Sequence, residues 1–369
     1  MEPGTKLQVR IEKVAHGGHF IARNDGQVIF VRDCAPGELV SIEVTSKAKG
    51  FLRAKVLEVI EKSSMRVNPP CKYAGECGGC DFQHIEIASQ RKLKEEVIVE
   101  QFKRIAKMDV EVKVESVEPT LHWRTHIRGA TNAEGKFGIY ASRSNEVVPI
   151  EDCLIADASL HVNEMANKKF EPDIRVEVPT GDQTKTVLGH KLKVKNGAFW
   201  QRHINAPDTL AKVFLEFAEL KSGDHLLDLY GGVGLFSAVA IDQLGAGGRI
   251  DLIESSIPAT ESARENFKAH QNVKIIRDDV AKALRNIKRA DVVVLDPPRA
   301  GAGAEVVDQL LRINPSRIVY VACDPATLAR DVKQFTESGW RLVQIDGYDL
   351  FPMTQHIESI CLLEPNKVS

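Results

Sequence analysis

From about residue 222 onward, short apolar runs alternate with stretches of helical periodicity. The runs predict strands at 225–230, 249–254, 273–276, 291–295 and 317–322, with helices between them, which is the pattern of a doubly wound α/β domain. The end of the chain breaks it. Segments 341–349 and 356–364 predict two strands joined by a short loop, an antiparallel pair at one sheet edge. The start of the chain is different again: apolar alternation at 7–14, 27–31, 39–45 and 51–60, broken by glycines, predicts five or so strands and a small OB-like barrel. Residues 71–190 are mixed, opening with a cysteine cluster and a charged helix from about Glu86 to Lys107. They continue as β-like sequence with Trp123, Arg124, His126 and Arg128 among its polar positions. The expected division is a barrel over 1–62, a central α+β domain over 63–190 and an α/β domain over 191–369. No internal repeat or low-complexity tract interrupts it.

Charge adds an asymmetry. The 369 residues carry a net charge of −2, but residues 1–203 hold 31 Lys/Arg against 28 Asp/Glu and residues 204–369 hold 18 against 23. Two stretches are basic without any acid: 47–55, with Lys47, Lys49, Arg53, Lys55 and Phe51, and 185–203, with Lys185, Lys191, Lys193, Lys195 and Arg202. A basic strand bearing an aromatic side chain can follow a phosphate backbone and stack a base. An edge strand guarded by solvated lysines has the same pattern. No signal sequence opens the chain and no apolar run approaches a membrane span, so the expected compartment is the cytoplasm, with no membrane partner. In a reducing compartment, seven cysteines that partly cluster point to a metal site and not to disulfides.

Chemistry concentrates at predicted strand ends. The run His225-Leu226-Leu227-Asp228-Leu229-Tyr230-Gly231-Gly232-Val233-Gly234 passes from a strand through a glycine turn into a helix, where backbone can approach a ligand closely. The next strand ends at Glu254, placed for ribose hydroxyls. The third ends at Asp278 and Asp279, placed for an adenine edge, and the fourth at Asp296. A single acid at such a place is usually a helix cap; four at successive strand ends form a pocket. No lysine follows the glycines, so a P-loop is excluded. A class I (Rossmann-like) S-adenosylmethionine pocket fits better than a dinucleotide one, and the antiparallel terminal pair is typical of such methyltransferases by fold analogy. Cys323 lies where Val319-Tyr320-Val321-Ala322 meets Asp324-Pro325, at a loop mouth and not mid-strand.

These motifs together resemble the RNA 5-methyluridine methyltransferases, the family of the 23S rRNA uracil-5 enzymes and the tRNA T-loop enzyme, over nearly the whole chain. The segments that carry the resemblance are Asp296-Pro297-Pro298-Arg299, the run from Cys323 to Asp331, and Phe351-Pro352-Met353-Thr354-Gln355-His356-Ile357-Glu358. The barrel is similar to the family's TRAM domain. The resemblance implies Cys323 as the nucleophile that adds to uracil C6 and Glu358 as the base that removes the C5 proton. It implies Gln201, in Phe199-Trp200-Gln201-Arg202-His203, and Tyr230, Gly232, Gly234, Leu235, Glu254, Asp279 and Asp296 as cofactor or uracil contacts. Three positions depart from the family pattern: Gly231 where many members carry cysteine, and His203 and Leu235 where many carry asparagine. Leu235 can then offer only its backbone.

Cys71-x5-Cys77-x2-Cys80, with Cys153 as a fourth thiolate, suits zinc or a 4Fe-4S cluster by residue type. The family resemblance implies the iron–sulfur cluster, in a structural role, and leaves zinc as the alternative. Cys34 and Cys361 are expected in the core. The implied activity is uridine C5 methylation of RNA, 23S rRNA ahead of tRNA, with no obligate protein partner. Two other readings make distinct demands. A non-catalytic RNA-binding module has no need of Cys323 and Glu358. An amino-directed nucleic-acid methyltransferase would place an aromatic residue where Arg299 stands.

Overall fold

The computed structural model describes residues 1–142 and 144–366. Five strands open the chain: β1 (Lys6–Ala15), β2 (His19–Asn24), β3 (Gln27–Val31), β4 (Leu39–Ala48) and β5 (Phe51–Glu61). They close into a barrel in the order β1-β2-β3-β5-β4, with β3 and β5 parallel and the other pairs antiparallel. Strict alternation drives this. Val9 and Ile11, Ile29 and Val31, Val40 and Ile42, and Leu52 and Ala54 all turn inward and are buried. Helix α1 (Ile87–Gln101) follows, and a π-helical turn over Phe102–Ala106 replaces the α-helix expected to run on to Lys107. Lys107 ends the turn in the left-handed region, at φ 58°.

Next come β6 (Val114–Ser116), β7 (Ile127–Thr131), β8 (Phe137–Tyr140), β9 (Val147–Pro149), α2 (Val162–Ala166) and β10 (Arg175–Val178). Strands β10-β7-β8-β9 form a small antiparallel sheet around Ile127, Phe137, Ile150, Leu160 and Val162. A hairpin of β11 (Gln183–Val187) and β12 (His190–Val194) leads into α3 (Ala206–Ala218).

The remaining elements alternate as the pattern predicts. They are β13 (His225–Leu229), α4 (Leu235–Leu244), β14 (Arg249–Glu254), α5 (Ile257–Asn266), β15 (Val273–Arg277), α6 (Val280–Leu284), β16 (Val292–Leu295), α7 (Ala304–Ile313), β17 (Arg317–Ala322), α8 (Pro325–Glu337), β18 (Trp340–Asp349) and β19 (Glu358–Pro365). The sheet order is β15-β14-β13-β16-β17-β19-β18-β6. The first five strands are parallel, and β19 is antiparallel to both β17 and β18. The terminal pair is therefore not the edge. Residues 114–116 add β6 in parallel beside β18, a strand too short to show a period in the sequence.

Contacts divide the chain into two compact units: Met1–Val97, Pro119–Val178 and Phe351–His356 in one, and Ile98–Glu118, Pro179–Leu350 and Ile357–Ser369 in the other. These do not follow the three consecutive segments 1–62, 63–190 and 191–369, because distant pieces of chain fold together. No helix among the described residues is long and apolar enough to cross a membrane.

One buried carboxylate ties off the barrel. Glu38 is fully buried and accepts hydrogen bonds from the Ala35 amide at 2.8 Å, the Ser63 amide at 3.3 Å and the Arg66 guanidinium. Burial alone would raise its pKa; the bonds from Arg66 and the two amides outweigh it and hold the carboxyl below its usual range. Glu38→Ala leaves these donors and the Arg66 charge unpaired, and should cost about 3 kcal/mol. Denaturant unfolding of the two proteins at pH 7 measures this. Glu38 contributes its stability above the ordinary carboxylate pKa and loses it on acidification, so the difference between wild type and variant should shrink as the pH falls through the acid range.

Candidate active site

The strand order reverses between β13 and β16, and the glycine turn lies at the C-terminal end of β13, where such sheets open a crevice. Asp228 is fully buried, and its Oδ2 accepts from the Ser237 amide at 3.0 Å and the Ser237 hydroxyl at 2.6 Å. Its Oδ1 has no partner among the described residues, and burial, with the Glu254 charge behind it, pushes the carboxyl up to about 7. Tyr230 turns the chain at φ 56°, a conformation costly for a non-glycine residue and characteristic of ligand sites. Burial and the charges of Asp279 and Asp331 push its phenol up to about 12.

Gly234 has φ +96°, and a Cβ there would lie 2.2 Å from the Phe267 ring. Only glycine fits. A Cβ on Gly231 would lie 2.6 Å from Leu252, so the departure from cysteine accompanies a close approach by that side chain. Glu254 accepts from the Gly232 amide at 3.0 Å and the Ser256 amide at 2.7 Å, which fixes its carboxylate beside the turn. Leu235 opens α4 with its side chain buried. Asp279 accepts from the Lys282 amide at 3.2 Å and so caps α6. His203 is buried and takes the Asn205 amide on Nδ1 at 3.0 Å.

A second group lies at the ends of β16, β17 and β19. Cys323 follows the last residue of β17. Asp324 then caps α8, accepting from the Ala326 amide at 3.0 Å and the Thr327 amide at 3.1 Å, with Pro325 starting the helix. Ala322 faces Ser359 across the β17–β19 ladder, so one further step of that antiparallel register sets Cys323 opposite Glu358. Glu358 is 4% exposed, and its Oε1 has no hydrogen-bond partner among the described residues. Asp296 ends β16, and Gln201 donates to its Oδ2 at 3.0 Å.

Burial raises the pKa of all three groups, and neighbouring acids add to it. The Cys323 thiol goes up to about 12, with Glu358 and Asp296 reinforcing burial and Arg299 opposing it. Asp296 goes up to about 7, with Asp228 adding to burial. Glu358 rises well above the carboxylate range through burial and the charge of Asp296. A poised thiol between two proton-holding carboxyls can add to an electrophilic carbon and move a proton nearby.

The basic stretches are partly spent inside the fold. Lys193 and Lys195 pair with Glu265 and Glu261 on α5, fastening the β11–β12 hairpin to that helix. On the barrel, Lys47 pairs with Glu2 and Lys55 with Glu43, whereas the Arg53 guanidinium lies 5.2 Å from the centre of the Phe51 ring. In the α+β sheet, Trp123 is a core residue and Arg128 pairs with Glu177 at 2.7 Å.

The cysteine segment and the loop before Glu358 fold together. Cys71, Cys77, Cys80 and Cys153 are free and half-buried. The Gly79 amide points at Cys77 Sγ at 3.4 Å and Gln83 Nε2 at Cys80 Sγ at 3.3 Å. Burial pushes Cys80 up to about 12 and also raises Cys77 and Cys153; neighbouring cysteines add to the rise and Arg124 offsets it. Among the described residues, no group of three or more His, Cys, Asp or Glu is arranged to hold a metal ion. The donor set itself, four thiols with N–H groups on two sulfurs and a guanidinium nearby, is the chemistry a four-thiolate cluster uses. Just past Cys80, the amides of Asp81 and Phe82 both donate to Met353 O, at 3.1 and 3.0 Å. Gln90 bonds the Met353 amide at 2.9 Å, and Lys94 reaches Phe351 O at 3.1 Å. Cys34 and Cys361 are buried, as expected.

Sequence reasoning assigned no role to Arg299, Tyr320, Asp331 or Ser237. Asp331 did leave a signal: it sits on the face of α8 that buries Leu328, Val332 and Phe335, where a lone carboxylate needs partners.

Known proteins match this architecture. Residues 157–366 match the sequence profile of the tRNA (Uracil-5-)-methyltransferase family, and residues 1–57 that of the TRAM domain. A Streptomyces avermitilis protein described as an uncharacterized RNA methyltransferase is 38% identical, over 98% of this chain and 99% of its own length. One from Bdellovibrio bacteriovorus, described in the same words, is 32% identical over 98% of this chain and 95% of its own. The crystal structure of the Pyrococcus abyssi tRNA (uracil-54, C5)-methyltransferase in complex with S-adenosyl-L-homocysteine shares the fold. Its TM-score is 0.74 at 21% identity, covering 97% of this chain and 100% of that one. Taken with the strand-end site, these matches place the chain in the tRNA (uracil-5-)-methyltransferase family.

Proposed function

We propose that the chain methylates C5 of uridine in RNA, 23S rRNA being the substrate, through a covalent adduct on Cys323 with Glu358 as the proton acceptor. The observation that carries this reading is the register that sets Cys323 opposite Glu358, with Asp296 at the end of the adjoining strand. S-adenosylmethionine, when bound, supplies a methyl group activated by a positively charged sulfonium. The glycine turn from Tyr230 to Leu235, with Gly232 and Gly234 giving backbone access, would hold it together with Glu254 and Asp279. Gln201 and Asp296, already bonded to each other, would present hydrogen bonds to the uracil edge.

Uracil C5 is a weak nucleophile. Cys323 Sγ, as the thiolate, adds to C6, and the displaced electron pair makes C5 nucleophilic enough to form a bond to the methyl carbon, whose bond to the sulfonium sulfur breaks and leaves its pair on that sulfur. Glu358 then takes the C5 proton, the pair left behind re-forms the C5=C6 bond, and the C6–S bond breaks to return the thiolate. Its burial makes Glu358 a stronger base than an exposed carboxylate once ionised. The target uridine must leave its stack to reach both groups, so a looped or flipped base is required. The TRAM barrel, with Arg53 over Phe51, supports an RNA partner.

Cys71, Cys77, Cys80 and Cys153 would hold a 4Fe-4S cluster, which no step above uses. The N–H groups aimed at Cys77 and Cys80 support that assignment.

RNA carrying 5-fluorouridine should be trapped as a denaturation-stable adduct, because fluorine at C5 cannot leave as a proton. Cys323→Ala should form none, and Glu358→Gln with ordinary RNA should accumulate a methylated adduct. Adduct formation by Cys323→Ala would end the nucleophile assignment, and normal turnover by Glu358→Gln would end that of the base. Protein purified without oxygen should be brown and contain iron and acid-labile sulfide. Colourless protein with stoichiometric zinc would assign the four cysteines to zinc. For the substrate, total RNA from a strain lacking the gene should have lost 5-methyluridine from 23S rRNA; loss from the tRNA T-loop instead would reassign it.

A further inference from the structure

Outside the reacting trio, a polar network surrounds Asp331, which is 1% exposed on α8. Its Oδ2 accepts from the Tyr320 hydroxyl at 2.7 Å, the Ala302 amide at 2.9 Å and the Gly303 amide at 3.4 Å. Its Oδ1 takes Arg330 Nε at 2.9 Å, and the same guanidinium donates to Ala300 O at 2.8 Å. Thr327, one turn earlier on α8, donates its hydroxyl to Arg299 O at 3.2 Å. The bonds to Ala302, Gly303, Ala300 and Arg299 all end on the loop that follows β16.

The loop is shaped for this contact. Gly301 takes φ +77°, and a Cβ on it would lie 2.6 Å from Asp331 Oδ2 and 2.7 Å from the Arg330 guanidinium. The loop thus closes on the carboxylate without room for a side chain. A helix that only needed packing against a loop would not place a carboxylate on its apolar face, where desolvation costs several kcal/mol unless every lone pair is met. Here it is met by two backbone amides, a phenol and a guanidinium.

We infer that Asp331 is a positioning residue for the reaction: it locks the 296–303 loop and thereby holds the Arg299 guanidinium where its charge reaches Cys323. The groups acting on that thiol are Glu358 from β19, Asp296 and Arg299 from the loop after β16, and Asp324 next to it in the chain. Arg299 alone favours the thiolate. A loose loop removes the one favourable charge and leaves the three acids. Asp331 touches neither uracil nor methyl donor in this scheme and acts through Arg299. The inference rests on the proposed role of Cys323, but its test reads the thiol directly and not turnover.

The test is the pH dependence of Cys323 alkylation by iodoacetamide, followed by peptide mass spectrometry because the chain has seven cysteines. A raised thiol pKa means that reactivity appears only as the pH climbs, so withdrawal of Arg299 should move the midpoint upward. Asp331→Asn should raise it by about half a unit or more, and methyl transfer should fall roughly 10- to 100-fold in kcat with little change in KM, as expected when an outer partner is lost. Tyr320→Phe, which keeps the carboxylate, should give a smaller shift in the same direction. In an Arg299→Ala background, Asp331→Asn should leave the midpoint where Arg299→Ala alone puts it. Equal shifts with and without Arg299, or an Asp331→Asn protein that is folded by circular dichroism and has the wild-type profile, would overturn the inference. If Asp331→Asn fails to fold, Tyr320→Phe carries the same comparison. A methyltransferase assay that fails for the wild type as well as every variant, while the alkylation shifts persist, would reject the proposed reaction and leave the lock standing.

Discussion

Cys323, Asp296 and Glu358 are forced together at the ends of three adjacent strands in a place that resists charge. Neighbouring strands lie about 5 Å apart, and two like charges at that separation repel by roughly 3 kcal/mol at an effective dielectric of about 20. The three groups therefore cannot all be ionised at neutral pH, and each is pushed toward its protonated form by burial and by a neighbouring acid. The rest of the domain follows from this constraint. Gln201 bonds Asp296, and Arg299 supplies the opposing charge.

Topology brings the trio together. Because β19 runs antiparallel between β17 and β18, its first residue lies at the end of the sheet where the parallel strands finish. Run parallel in the same slot, an eight-residue strand would carry Glu358 some 25 Å away, at the opposite rim. The terminal antiparallel strand is thus part of the chemistry and more than a closure of the sheet. It also explains how residues 323 and 358, separated by a helix and a strand, come to face one another without a loop bridging them.

How much of this can be read without coordinates depends on how local each determinant is. The apolar runs of β13 to β17 announce themselves, and the address of Cys323 follows from Asp324-Pro325, a cap and a helix start that must come right after a strand. Glu358 is different. Its pairing with Cys323 depends on register between strands whose order is not sequential, so only family resemblance pointed to it. The edge strand β6 has three residues and no usable period. The partners of Lys193 and Lys195, Glu265 and Glu261, lie some seventy residues away, so nothing in the basic stretch itself announces the pairing. Asp331 was legible in principle, as an acid on a buried helix face, but its meaning depends on a loop thirty residues earlier.

The motif Phe351–Glu358 is contiguous in sequence, yet its parts answer to different surroundings. Phe351–His356 packs with the barrel and the cysteine segment, while Glu358 belongs to the sheet. The loop has little regular structure of its own, so its backbone polar groups must be met from outside. Asp81, Phe82, Gln90 and Lys94 meet them, two of these directly after Cys80. Met353 also buries its side chain with Trp123 and Ile155, against which Cys80 and Cys153 pack. The order of the cysteine segment and the order of this loop are therefore one property, since neither can loosen without stranding the other's amides.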